Sequence, residues 1–277
     1  MLAFDLGNMP HFNAPRSGSN LATMHTIDIE NQELTPQEVE GWLKDTEGRA
    51  LFGLAKKCTG RGVIVEIGSW KGKSTIWLGR GSRLGRGVKI HAIDPHTGSP
   101  QHREALGEVW TFDEFKQNIK RAKIDSLVVP HVDFSDAVAR TFDEKVELIF
   151  IDGLHEYEGV KIDFDMWFPK VVDGGWIAFH DSTCWDGVRK VVTDELFKSG
   201  HFRHMRFTAS IAYGQKVART TLLERVGNRF MMWAFLTHAF IERSIWRLVH
   251  NYLDFPLARA LRLRLKGKRA VQPQVGV

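Results

Sequence analysis

Five short apolar runs separated by helix-like stretches constrain this chain more than any other feature. The runs fall at residues 63–67, 89–93, 126–132, 146–151 and 175–180. Between them, residues 74–79, 112–122, 135–141 and 159–171 carry helical patterns. The runs are too apolar to keep one face in water, so the alternation predicts a parallel sheet covered on both sides. Residues 186–199 read as one more helix and 209–212 as a further strand, and no internal repeat is present. The expected class is therefore α/β: a Rossmann-like, doubly wound, mostly parallel sheet with helices on both faces, preceded by N-terminal helices and followed by a C-terminal helical extension.

With 277 residues, the chain suits one large domain with appendages. Residues 1–30, rich in Gly, Asn, Ser and Pro, are expected to be a flexible arm; 31–215 form the main domain and 216–277 a basic amphipathic extension. Thr35-Pro36-Gln37-Glu38 supplies a capping hydroxyl, a proline at the first helical position and a closing acid, which predicts a helix start. A second helical stretch covers 48–57, and packing alone accounts for both. Cys58 and Cys184 lack the number and spacing for a disulfide framework, so a reducing, cytoplasmic setting is expected. No positive cluster followed by an apolar core is seen in residues 1–20, and the longest apolar run, 230–241, is too short to span a bilayer.

The net charge of +5 is unevenly distributed. Residues 219–269 hold eleven Lys/Arg and three Asp/Glu, a net +8 that leaves −3 for the rest. A nucleic-acid binder would carry its basic surface on the fold itself, so no nucleic acid is expected as partner. In the extension, Ile241, Ile245, Leu248 and Tyr252 share a helical face away from Arg243 and Arg247. Leu257, Leu261 and Leu265 repeat the pattern opposite Arg259, Arg262 and Lys266. A helical cover or a contact within a homo-oligomer is the plain expectation, and peripheral membrane contact through basic helices is the alternative.

The first apolar run ends in Glu66 and meets a turn, Gly68-Ser69-Trp70-Lys71-Gly72-Lys73-Ser74. A phosphate-binding P-loop needs four residues between its first glycine and the Gly-Lys pair; this turn has three, and Glu66 would put a carboxylate beside the phosphates. Acid-x-Gly-x-x-x-Gly is instead the pattern of class I S-adenosylmethionine-dependent methyltransferases. A carboxylate suits a ligand carrying an ammonium and a sulfonium group, and the glycines admit close backbone approach. Asp94, 22 residues past Gly72, stands where an acid can take both ribose hydroxyls. The expected cofactor contacts are Glu66, Gly68, Ser69, Gly72, Ser74 and Asp94, with Phe134 and Ser135 bordering the adenine. A dinucleotide site, or a purely structural turn, stays open on these residues alone.

Asp152 closes the fourth apolar run and His180-Asp181 the fifth. Adjacent strand tips would bring Asp152, His155, His180 and Asp181 together at the edge where open α/β sheets bind ligands. Asp152-Gly153-Leu154-His155-Glu156-Tyr157-Glu158-Gly159-Val160, followed by Gly174-Gly175-Trp176-Ile177-Ala178-Phe179-His180-Asp181, resembles the small class I methyltransferases that include metal-dependent sugar O-methyltransferases. The resemblance covers residues 63–199. It implies S-adenosyl-L-methionine as methyl donor, a divalent cation, Mg²⁺, held by Asp152, His180 and Asp181, and His155 as base. It also implies a hydroxylated small-molecule acceptor, a sugar or glycoconjugate above others. Blander roles exist: Asp152 as a turn cap, His155 as a local hydrogen-bonding group, His180-Asp181 as a helix cap. The alternative function is a catalytically silent cofactor-binding or scaffolding subunit docking to a membrane surface or partner through its basic C-terminus.

Overall fold

Strand parity accounts for the layers. In β1 (Val63–Ile67), Val65 and Ile67 join one buried cluster while Ile64 joins the other. The same division runs through β2 (Ile90–Ile93), β4 (Val146–Ile151) and β5 (Val171–Phe179): Ile93, Ile149, Ile151, Ile177 and Phe179 pack on one side, and Ile90, Ala92, Leu148, Phe150 and Ala178 on the other. A strand apolar at both parities must be covered on both faces. The computed structural model describes residues 33–99, 103 and 107–251. The expected N-terminal arm, residues 1–30, Tyr252 and the second C-terminal pattern, around Leu257, Leu261 and Leu265, lie outside the described residues.

Helices α1 (Asp45–Lys57), α2 (Lys73–Leu84) and α3 (Phe112–Arg121) cover the face of Ile64 and Phe150, contributing Leu51, Ile76 and Phe115 to its core. Helices α4 (Ser135–Thr141), α5 (Tyr157–Trp167), α6 (Asp186–Val191) and α7 (Leu222–Asn251) cover the other, with Val138, Trp167, Val191 and Phe235. With β3 (Val128–His131), β6 (Phe202–Thr208) and β7 (Ile211–Lys216), the sheet has the order β3-β2-β1-β4-β5-β7-β6. Strands β1 to β5 pair in parallel, and β7 is antiparallel to both neighbours.

From β1 the chain steps outward to β2 and β3, then returns to lay β4 on the other side of β1. That reversal makes the carboxyl ends of β1 and β4 a topological switch point, the place where open α/β sheets bind ligands. Backbone bonds carry the ladder one residue past each strand. The Asp152 N–H donates to Ile67 O (2.8 Å), that of Gly68 to Ile93 O (2.9 Å) and that of His180 to Ile151 O (3.0 Å). The strand tips named from the sequence are thereby held side by side.

Three local expectations are corrected. The Thr35–Glu38 box forms, with Glu38 Oε2 accepting from the Thr35 N–H at 2.7 Å and its hydroxyl at 2.6 Å, but it caps only a 3₁₀ turn, Pro36–Glu38, and Val39 is extended. Gly41 lies close behind and does not sustain a helix. The expected strand at 209–212 is a turn followed by β7, and β6 precedes it. Its pairing shifts register between Arg203 and Arg206, which breaks the two-residue period in the sequence. The helix expected over 186–199 is α6 continued by a π-helical segment, Val192–Lys198.

Candidate active site

The turn after β1 is shaped by backbone geometry. Gly68 and Gly72 have φ of 86° and 91°, which favours glycine. A Cβ on Gly68 would lie 2.0 Å from the Asp152 carbonyl oxygen, so the tips of β1 and β4 meet at this residue. Gly72 caps α2, and its N–H donates back to Ser69 O at 2.8 Å. The glycines thus serve the fold as well as any ligand.

Polar groups around the turn are not all satisfied. Glu66 is fully buried; Thr75 Oγ1 donates to its Oε2 at 2.5 Å, whereas Oε1 and the buried Ser69 hydroxyl have no hydrogen-bond partner among the described residues. Burial raises the Glu66 carboxyl to about 7, only partly offset by the hydroxyls of Ser74 and Thr75. A buried acid with an open oxygen fits the cationic methionyl end of S-adenosylmethionine. Asp94 accepts from the Trp70 N–H at 2.7 Å through Oδ2 and from the His96 N–H at 2.6 Å through Oδ1. Trp70 and His96 both have positive φ, 47° and 57°, an uncommon conformation that presents these N–H groups to the carboxylate. Each Asp94 oxygen keeps a lone pair for a ribose hydroxyl.

The two residues expected to border the adenine behave differently from each other. Phe134 is exposed at the head of α4, open to stack on a ring. Ser135 turns its hydroxyl inward to Asp163, whose carboxyl burial raises to about 6.

At the tips of β4 and β5 four ionisable groups converge. Asp152, His155 and Asp181 offer ligand atoms that all lie within 4.8 Å of one another. His155 Nε2 is 3.3 Å from Asp181 Oδ2, and the His155 ring stacks on Trp185 at 4.8 Å with a 7° interplanar angle. Asp181 itself has φ of 53°, which turns it towards His155. Burial works to raise its pKa, but bonding to His155 and the His180 charge lower it below the ordinary carboxylate range.

His180 is placed differently from the role the family resemblance implies. It is 4% exposed and lies between two carboxylates: Nδ1 is 3.0 Å from Asp152 Oδ1 and Nε2 3.4 Å from Glu47 Oε2. Burial opposes its charge, yet Asp152, Glu47 and Asp181 together raise its pKa well above the usual value. With Nδ1 directed at Asp152 and Nε2 at Glu47, neither ring nitrogen is left free for a metal in this arrangement. The three-residue group that fits a cation contains His155 in its place. Two carboxylates and one imidazole suit a divalent ion that accepts mixed oxygen and nitrogen donors; Mg²⁺ prefers oxygen throughout.

Glu47 was not legible as a site residue. It is fully buried in α1, accepts from the Ser210 N–H (2.8 Å) and hydroxyl (2.6 Å) through Oε1, and from the Lys44 N–H (2.7 Å) through Oε2. Burial tends to raise its pKa, but His180, Ser210 and the Lys44 N–H lower it. Helix α1 therefore does more than pack. The one signal in the sequence is that Glu47 shares a helical face with Leu51 and Leu54, an acid on an otherwise apolar stripe.

Residues 65–182 match the family model described as a methyltransferase domain, a span that takes in both groups of site residues. The chain is 25% identical over 182 residues to Uncharacterized protein R132 of Acanthamoeba polyphaga mimivirus, covering 61% of this chain and 77% of that protein. It is 28% identical over 120 residues to Uncharacterized protein y4gI of Sinorhizobium fredii (strain NBRC 101917 / NGR234), covering 43% of this chain but 13% of that one. Among solved structures, that of the O-methyltransferase NovP superposes with a TM-score of 0.57 at 17% identity, over 70% of this chain and 88% of the other. That likeness is one of fold.

Proposed function

We propose that residues 65–182, which match a methyltransferase domain, bind S-adenosylmethionine in the manner of the class I enzymes, and that the protein methylates a hydroxyl oxygen of a small molecule, of the sugar or glycoconjugate class. The observation that carries the reading is the meeting of two groups at one sheet edge. A Cβ on Gly68 would meet the Asp152 carbonyl, so the glycine turn lies against the strand tip that carries the Asp152, His155, Asp181 cluster.

Bound at the turn, S-adenosylmethionine supplies a methyl group on a cationic sulfur. Glu66 would hold its ammonium end and Asp94 its ribose, fixing the methyl towards the β4 tip. An acceptor oxygen held beside it would take the methyl group in line, leaving the sulfur as a neutral thioether, and the hydroxyl proton would pass to a base. An alcohol is a poor nucleophile while protonated. A divalent cation held by Asp152, His155 and Asp181 would lower the hydroxyl pKa and fix its position. In this arrangement His180, pinned between Glu47 and Asp152, orients Asp152. Where no cation is needed, the His155 ring, held by Asp181 and Trp185, takes the proton itself; the close His155–Asp181 pair favours this as the second reading.

Methyl transfer from labelled S-adenosylmethionine to a panel of sugars, glycolipids and phenols tests the proposal. Turnover on a hydroxylated acceptor supports it, and transfer only to nitrogen or carbon acceptors would overturn the O-methyl assignment. A silent scaffold would leave the three convergent ligand groups without use and is not favoured.

A further inference from the structure

Helix α7 has two apolar faces. Met232, Phe235 and Ala239 pack into the core, and the buried Asn228 Nδ2 donates to Phe202 O at 2.7 Å. Ile241, Ile245 and Leu248, which share a face in the sequence pattern, lie on the outer side, at 49–57% exposure. Leu223, Phe230, Trp233 and Phe240 extend this outer face along the helix at 67–82% exposure. At 100° per residue these side chains fill an arc of roughly 140° along a helix of about 45 Å. Monomeric proteins rarely leave such a continuous stripe bare.

Charge selects the occupant. Arg225, Arg229, Arg243 and Arg247 fall in a narrow strip along one edge of the stripe. The sequence after the helix, residues 252–277, adds six Lys/Arg against one Asp. A second copy laid along the same face would set +8 against +8, whereas an anionic surface would be attracted to it. No described helix is long and apolar enough to cross a membrane, so a helix of this kind lies in the interface with its apolar side down and its arginines at the headgroups.

We propose that α7 docks the protein on an anionic membrane surface, through its exposed apolar stripe and the arginines beside it. The docked helix also holds the rim of the candidate active site. Glu242 accepts from Thr183 Oγ1 at 2.7 Å and Arg243 Nη1 donates to Asp186 at 2.6 Å, tying to α7 the loop that follows Asp181. Docking thus brings that loop to the surface.

Flotation of the full chain with vesicles tests this, using phosphatidylcholine with and without phosphatidylglycerol. The protein is expected to float with the phosphatidylglycerol vesicles at low salt and to be released by high salt. Phe230→Glu, Trp233→Glu and Phe240→Glu are each expected to weaken binding on the order of tenfold. Arg225→Glu and Arg229→Glu should each weaken it about fivefold. All five positions are exposed, and unchanged thermal unfolding and S-adenosylmethionine titration of the variants would separate lost docking from lost fold or lost cofactor site. Failure to float with anionic vesicles at low salt overturns the proposal. So does a wild-type dimer in light scattering that the three apolar-face variants make monomeric, since a second copy would then cover the stripe.

Discussion

The two halves of the candidate site are built on opposite principles. The turn after β1 is local: the consecutive residues Glu66 to Ser74, with two positive-φ glycines and one buried acid whose Oε1 has no partner among the described residues. The cluster beyond β4 and β5 is distributed, joining side chains from α1 and from the segments just past the two strands, with His180 between Asp152 and Glu47 and His155 beside Asp181. The first is left incomplete in a way a ligand can finish. The second is charge-dense and held in place by its own members, as a catalytic group must be if it is not to reorganise during reaction.

The largest effect that would sharpen this contrast is expected from Asp152→Asn. Asp152 belongs to the convergent cluster and also pairs His180, so methyl transfer should fall on the order of 10³-fold while S-adenosylmethionine still binds. Loss of binding with intact chemistry per bound complex would instead assign Asp152 to the donor half. Chelation comes next. EDTA is expected to remove most turnover and added Mn²⁺ or Mg²⁺ to restore it, with Mn²⁺ the better because His155 offers nitrogen. Full activity in chelator would leave His155 as a base supported by Asp181.

Glu47→Gln probes the distributed half from its far end. Removing one partner of a buried charged group costs about 3 kcal/mol, which thermal or urea unfolding would register. Because the defect reaches Asp152 only through His180, kcat should fall by about 10–100-fold with KM for S-adenosylmethionine little changed. A rise in that KM with kcat intact would mean that Glu47 serves the donor side.

The smallest effect belongs to the local half, and its sign is unusual. Burial raises Glu66 from an ordinary 4.5 to about 7, so between those values the folded protein binds more protons than the unfolded chain. Stability contributed by this group therefore falls as pH rises through that window and stays low above pH 7. Glu66→Gln is expected to be more stable than wild type at pH 8, by up to about 3 kcal/mol, with the difference vanishing towards pH 4.5. The same variant should bind S-adenosylmethionine more weakly. A stabilised protein with unchanged affinity would detach Glu66 from the cofactor.

The contrast also explains what could be read from the chain. The β1 turn was legible because its logic is contained in the segment from Glu66 to Ser74. Asp152 and Asp181 were legible because a buried strand announces where its tip will be. His180 was read as reaching outward to a metal, whereas it turns back to Glu47, which lies 133 residues away in sequence, with Ser210 163 residues from that same acid. No local pattern encodes a pairing at that distance. Strand β6 escaped notice because its register shift breaks the alternation of Phe202 and Met205 with Arg203 and Arg206. Helix α7 was legible as amphipathic, but two apolar faces compete in its sequence and only packing against Phe197 and Phe207 decides that Phe235 faces inward.

The central claim is that the two halves form one site, with the β1 turn holding the methyl donor beside the acidic cluster. Calorimetric titration of S-adenosylmethionine into the full chain, its Asp94→Ala variant and its Asp152→Asn variant tests it most directly. Saturable one-site binding to the wild type, lost in Asp94→Ala and retained in Asp152→Asn, is the predicted result. No saturation at millimolar S-adenosylmethionine, or binding indifferent to Asp94, would contradict it.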